Sequence, residues 1–179
     1  MRGLTKAVAV AVLVGALVGC RHKPEQAAPV EPADSSAPIP EPPPGAGLAG
    51  VNLPLSQLLG SERLSRPTGT PRTEQVFAAL EVAGLALTGR TQVLGRTIGA
   101  SFCEIAHTSV GVVFSVCEFK DGPSAEAGRE YSSRAFGKAL PDRVLLINKK
   151  TLLTITPARA PAAEGDAKKG AAAFERLSG

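Results

Sequence analysis

The sequence predicts an α+β domain, two helices packed on one antiparallel sheet of about four to five strands, within residues 55–157. Three observations predict it. Apolar residues recur at helical spacing in segments 71–87 and 123–136. They alternate at strand spacing in 101–107 and 112–119. Two further apolar runs, 143–147 and 152–156, bracket the turn Asn148-Lys149-Lys150-Thr151. The order of helix, two or three strands, helix and two strands places helices against an antiparallel sheet.

In chain order, Thr70-Pro71 opens the first helix, since proline at a helix start loses no needed N–H. Its apolar face is Val76, Phe77, Leu80, Ala83, Gly84 and Leu87, and Gly89 is expected to close it. Residues 91–94 read as a short strand. The clearest hairpin joins 101–107 to 112–119 through Ser109-Val110-Gly111, where a three-residue loop needs a left-handed last residue. That turn sets Cys103 opposite Cys117, Ile105 opposite Ser115 and His107 opposite Val113. Phe102, Ala106, Val112, Phe114 and Val116 share the other face, interrupted by Glu104 and Glu118. Asp121-Gly122-Pro123 opens the second helix, with a buried stripe of Ala127, Gly128, Tyr131, Ala135 and Phe136 and a stop at Gly137. In the last hairpin Val144, Leu146, Leu153 and Ile155 face one way, and Leu145, Ile147 and Leu152 the other. Apolar residues on both faces require this hairpin to be covered on both sides. The tail, residues 158–179, is rich in Ala, Gly and Lys and is expected to be disordered.

Ahead of this domain, Arg2 and Lys6 precede an unbroken apolar run of 12 residues, 7–18. That length suits the core of a secretory signal and falls short of the about 20 residues of a spanning helix. The run ends in Leu17-Val18-Gly19-Cys20. This resembles the lipobox of bacterial lipoproteins: a branched apolar residue, a tolerant position, a small residue and the cysteine. The resemblance covers residues 1–20. It implies that residues 1–19 are removed as a signal peptide and that Cys20, the new N-terminus, is diacylglycerated on sulfur. Two or three acyl chains anchor stably where one is marginal, each buried methylene contributing about 0.8 kcal/mol. Position 21 is Arg rather than Asp, which points to the outer membrane if the cell is Gram-negative. Residues 20–54 are then a lipidated cysteine and a tether dominated by Pro, Ala, Glu and Gly. Such a segment buries too little apolar surface to offset its ordering entropy. Near polyproline II at about 3.1 Å per residue, segment 24–54 would reach roughly 95 Å.

Composition narrows the function. The formal charge of +4 falls to +2 once Arg2 and Lys6 leave with residues 1–19, which carry no acid. There is neither a basic stripe nor interleaved aromatics for nucleic acid. Cys20 aside, Cys103 and Cys117 are an even pair in an oxidising compartment, and facing strand positions suit a disulfide. A sharper alternative adds His107 as a third metal ligand, but four strand residues separate it from Cys103, roughly 13 Å. No Gly-x-Ser-x-Gly elbow, phosphate-binding glycine loop or Cys-x-x-Cys is present. Glu104 and Glu118 read as core-edge carboxylates that pair with Arg, and Arg63, Arg66, Arg72, Arg90 and Arg96 as solvated surface. The expectation is a membrane-anchored, non-enzymatic module, without cofactor, that meets a protein or envelope partner. The rival is a carrier or sensor of a small ligand or metal.

Overall fold

Alternating apolar residues need cover on each side they occupy, and the fold supplies it on both. A computed structural model of the protein describes residues 40–44, 46–47, 52–69 and 71–177. Its elements are α1 (Leu55–Leu64), α2 (Thr73–Val82), β1 (Leu87–Val93), a 3-10 turn (Gly95–Ile98), β2 (Phe102–Thr108), β3 (Val113–Glu118), α3 (Gly122–Phe136), β4 (Val144–Asn148), β5 (Thr151–Thr156) and α4 (Pro161–Arg176). The five strands form one sheet in the order β1-β2-β3-β5-β4, every neighbouring pair antiparallel. The class is α+β, with four helices among the described residues where two were expected.

The hairpin register is as read from the turn. Cys103 faces Cys117, Ile105 faces Ser115 and His107 faces Val113. Gly111 adopts φ +84° and donates to the Thr108 carbonyl, closing the three-residue loop. On one face Ala106, Phe114, Val116, Leu153 and Ile155 are buried under Val76, Phe77 and Leu80 of α2 and Ala163, Ala173 and Phe174 of α4. On the other, Cys103, Cys117 and Leu152 are buried with Ala125 of α3, Ala100 and Phe119, and Ile98, Leu145 and Ile147 pack against them. The sheet is therefore a middle layer, and β5 is covered on both faces.

Four expectations need correcting, each for a physical reason. The first helix ends at Val82, before Gly89. Gly84 takes φ +83°, its N–H meets the Glu81 carbonyl at 2.9 Å, and Leu85 N–H meets the Leu80 carbonyl at 3.1 Å. These two bonds make a Schellman stop that satisfies the last carbonyls. Released from the helix, Leu87 starts β1, so the strand is longer than 91–94 and carries a bulge between Thr88 and Thr91.

The buried stripe of α3 is Ala125, Gly128 and Ser132, rotated from the one expected. Phe119 presses on Gly128, where an added Cβ would also come within 2.9 Å of the Ile98 carbonyl. Ser132 turns inward because Arg143 bonds both its hydroxyl and its carbonyl. Phe136 is left 42% exposed.

The tail expected to be disordered is helix α4. Pro161 starts it, and Ala163, Gly170, Ala173 and Phe174 recur at helical spacing as its buried face. Small residues carry little hydrophobic signal, yet they let the helix lie close to the sheet. An added Cβ on Gly170 would strike the Phe114 ring. Gly170→Ala, ordinarily stabilising in a helix by roughly 0.5–1 kcal/mol, is accordingly expected to destabilise by about 1–3 kcal/mol through overpacking. Chemical denaturation of wild type and variant checks the sign; a stabilised variant would mean that α4 does not pack as described.

The folded unit also begins before Leu55. Residues 40–44 and 46–47 lie against it: Gly47 N–H donates to the Arg96 carbonyl at 2.8 Å, and an added Cβ on Gly99 would sit 3.2 Å from Pro43. Helix α1 is pinned by Glu62, whose carboxylate accepts the Gly95 and Arg96 N–H groups at 3.0 Å each.

Candidate binding site

Cys20, the expected lipidation residue, lies outside the described residues, as does the Leu17-Val18-Gly19 segment before it. Cys103 and Cys117 form a disulfide with Cα atoms 4.2 Å apart. It is buried between the sheet and the α3 side of the molecule. His107 is exposed four positions further along β2 from Cys103, beside Gly89 of β1, and does not join the two sulfurs. Among the described residues no three His, Cys, Asp or Glu side chains are grouped to hold a metal ion.

Glu104 and Glu118 each belong to a separate ion pair. Arg90 reaches Glu104 at 2.6 Å and lies 4.7 Å over the Phe77 ring. Glu118, its side chain 3% exposed, accepts from Arg66 and from the Thr73 N–H at 2.7 Å. A carboxylate at this position satisfies a free donor at the start of α2 and suits the positive end of the helix. Arg66 also holds Glu74 at 2.6 Å and stacks 4.2 Å over Phe102. Its bond to Arg66 is the main reason Glu74 is lowered from 4.5 to about 2. Arg66 and Arg96 are thus paired structural groups and not solvated surface; Arg63 and Arg72 remain exposed.

Of the concave regions among the described residues, two adjoin the 3-10 turn and the sheet. One, about 580 Å³, lies among Pro43, Glu62, Arg96, Lys120 and Ser124. Its buried acid, Glu62, is committed to the 3-10 turn and pairs with Arg96. The other is a trough of about 190 Å³ across the sheet, between the 3-10 turn and the C-terminal half of α3. Its floor is Val93, the disulfide, Ser115, Thr154 and Thr156, and its walls include Ile98, Phe136 and Arg143.

Arg143 sits where the alternation of β4 puts it, one residue before the strand and on the same face as Leu145 and Ile147. Its guanidinium donates to the Ser132 carbonyl at 2.8 Å and lies 5.4 Å from the Phe136 ring centre. Its Nε is buried without a hydrogen-bond partner. Burial pushes its pKa down, and no acid offsets that. Among the described residues it is the one arginine shielded from solvent with no carboxylate within 4 Å; Arg66, Arg96 and Arg129 all have one. Beside it, Phe136 and Leu140 are 42% and 43% exposed. Sequence reasoning missed this corner. Only the strand parity of residue 143 hints at it, because the lack of an acidic partner is a tertiary fact.

The chain matches no family model, and no curated protein or solved structure is significantly similar to it.

Proposed function

We propose that this chain is a lipid-anchored envelope protein, cleaved before Cys20 and held to the membrane through that residue, whose exported domain is a non-enzymatic module that meets a protein or envelope partner. The observation that carries the reading is the ordered leader: two cations, a 12-residue apolar run and Leu17-Val18-Gly19-Cys20. The disulfide is consistent with it, since such bonds persist in oxidising compartments. Arg at position 21 supports the outer membrane as the destination. For the module, the α3–β4 corner is the surface of choice. Exposed Phe136 and Leu140 lie there beside an arginine that lacks a counter-charge. The trough is below the 300–1,000 Å³ usual for cofactor and small-molecule pockets. That size favours an anchoring group of a partner over a stored ligand, the second reading.

Fractionation of cells expressing the Cys20→Ala variant tests the anchor. Wild type is expected in the membrane fraction. The variant should leave it or stay at the length of the uncleaved precursor. Full membrane retention of a cleaved variant would overturn the reading.

A further inference from the structure

We propose that the trough beside Arg143 is a receptor for the free C-terminus of a partner polypeptide ending in an aliphatic residue. This deepens the partner-module reading and rests on it. A guanidinium partly withdrawn from water without a counter-ion is disfavoured, and such charges are normally paired. Every other shielded arginine among the described residues has its carboxylate; Arg143 has two bonds to Ser132 and an orphaned Nε. An arriving carboxylate supplies the counter-charge, received by the guanidinium N–H groups that Ser132 leaves free.

Volume and lining then choose the kind of carboxylate. About 190 Å³ is roughly six water volumes, the size of one side chain with its terminal group. Val93, Leu94, Ile98 and the disulfide offer hydrocarbon and sulfur on the side away from Arg143, while Thr154 and Thr156 offer hydroxyls. A C-terminal Leu, Ile or Val presents its carboxylate and a branched hydrocarbon from one Cα, and both halves find a match. A Glu side chain carries only two methylenes and leaves the apolar side unfilled. Phe136, exposed at the rim, would cover the residue leading to the terminus, as apolar rims exclude water around an anchor.

The test uses the full mature protein in detergent micelles and a fluorescein-labelled Gly-Ser-Gly-Val-Leu peptide, read by anisotropy. The free-acid peptide should bind saturably, and its C-terminal amide about tenfold or more weaker, as expected for loss of a hydrogen-bonded ion pair. Arg143→Gln should remove the difference between acid and amide while leaving thermal unfolding cooperative. Should that variant fail to fold, competition on the wild-type protein decides instead: unlabelled acid displaces the probe and the amide does not. Equal affinity for acid and amide overturns the proposal. So does tighter binding of a peptide blocked at both ends with an internal Glu, or binding of hexanoate that no peptide displaces. Absence of binding by all these probes also overturns it. None of these outcomes touches the anchor, which fails only if Cys20 does not hold the protein to the membrane.

Discussion

Replacing Arg66 with alanine is expected to destabilise the domain by about 3–5 kcal/mol, the range for removing one partner of a buried ion pair. The cost comes from what is left behind. Glu118 is 3% exposed and keeps only the Thr73 N–H. The ring of Phe102 loses the guanidinium that covers it. The Arg66→Ala, Glu118→Leu double variant should recover much of the loss, because no charge remains stranded, but not all of it, because the cap on α2 goes as well. Urea unfolding of the three proteins checks this. A single variant within about 0.5 kcal/mol of wild type would show that the pair is solvated. The same cluster sets an acid limit. Arg66 holds Glu74 down to about 2 from an ordinary 4.5, so its contribution is present above pH 4.5 and lost as pH falls through about 2. Glu74 is half exposed, which keeps that contribution small. In Arg66→Ala this part of the acid transition should vanish.

Removing the disulfide is the second large effect. Double replacement of Cys103 and Cys117 by serine is expected to cost about 2–5 kcal/mol, and the chain-entropy model for a loop of this length gives roughly 3. The sequence separation is 14, so the bond closes a short loop, and most of the effect falls on the unfolded chain. A melting temperature lower by on the order of 10 °C follows for a domain of this size. Reduction of the wild-type protein should reproduce the drop. Peptide mapping without reductant that finds both thiols free in protein from the cell envelope would contradict the bond and the compartment together.

Local rules carried the sequence reading as far as local rules hold. The β2–β3 register was legible because Gly111 can take φ +84° and strand alternation allows one pairing that buries Phe114 and Val116. The double-faced burial of β5 was legible from Leu152 and Leu153, neighbours that point opposite ways. Helix α4 was not legible, because its buried face is two alanines, a glycine and Phe174. The rotation of α3 escaped notice because Ser132 looks like a surface residue until Arg143 bonds it. The caps made by Glu62 and Glu118 escaped notice for another reason. Each bonds a backbone N–H more than 30 residues away, to Gly95 and Thr73, and no periodicity records such a bond. The Arg143 corner belongs to the same class: an unpaired charge is defined by what fails to arrive beside it.

The intact mass of the protein extracted from membranes with detergent tests the lipid anchor most directly. The account predicts the mass of residues 20–179 plus two or three acyl chains and the glyceryl group. Fragmentation should place the whole addition on Cys20. A mass equal to residues 20–179 without addition, or a membrane-bound chain that still carries residues 1–19, would contradict it.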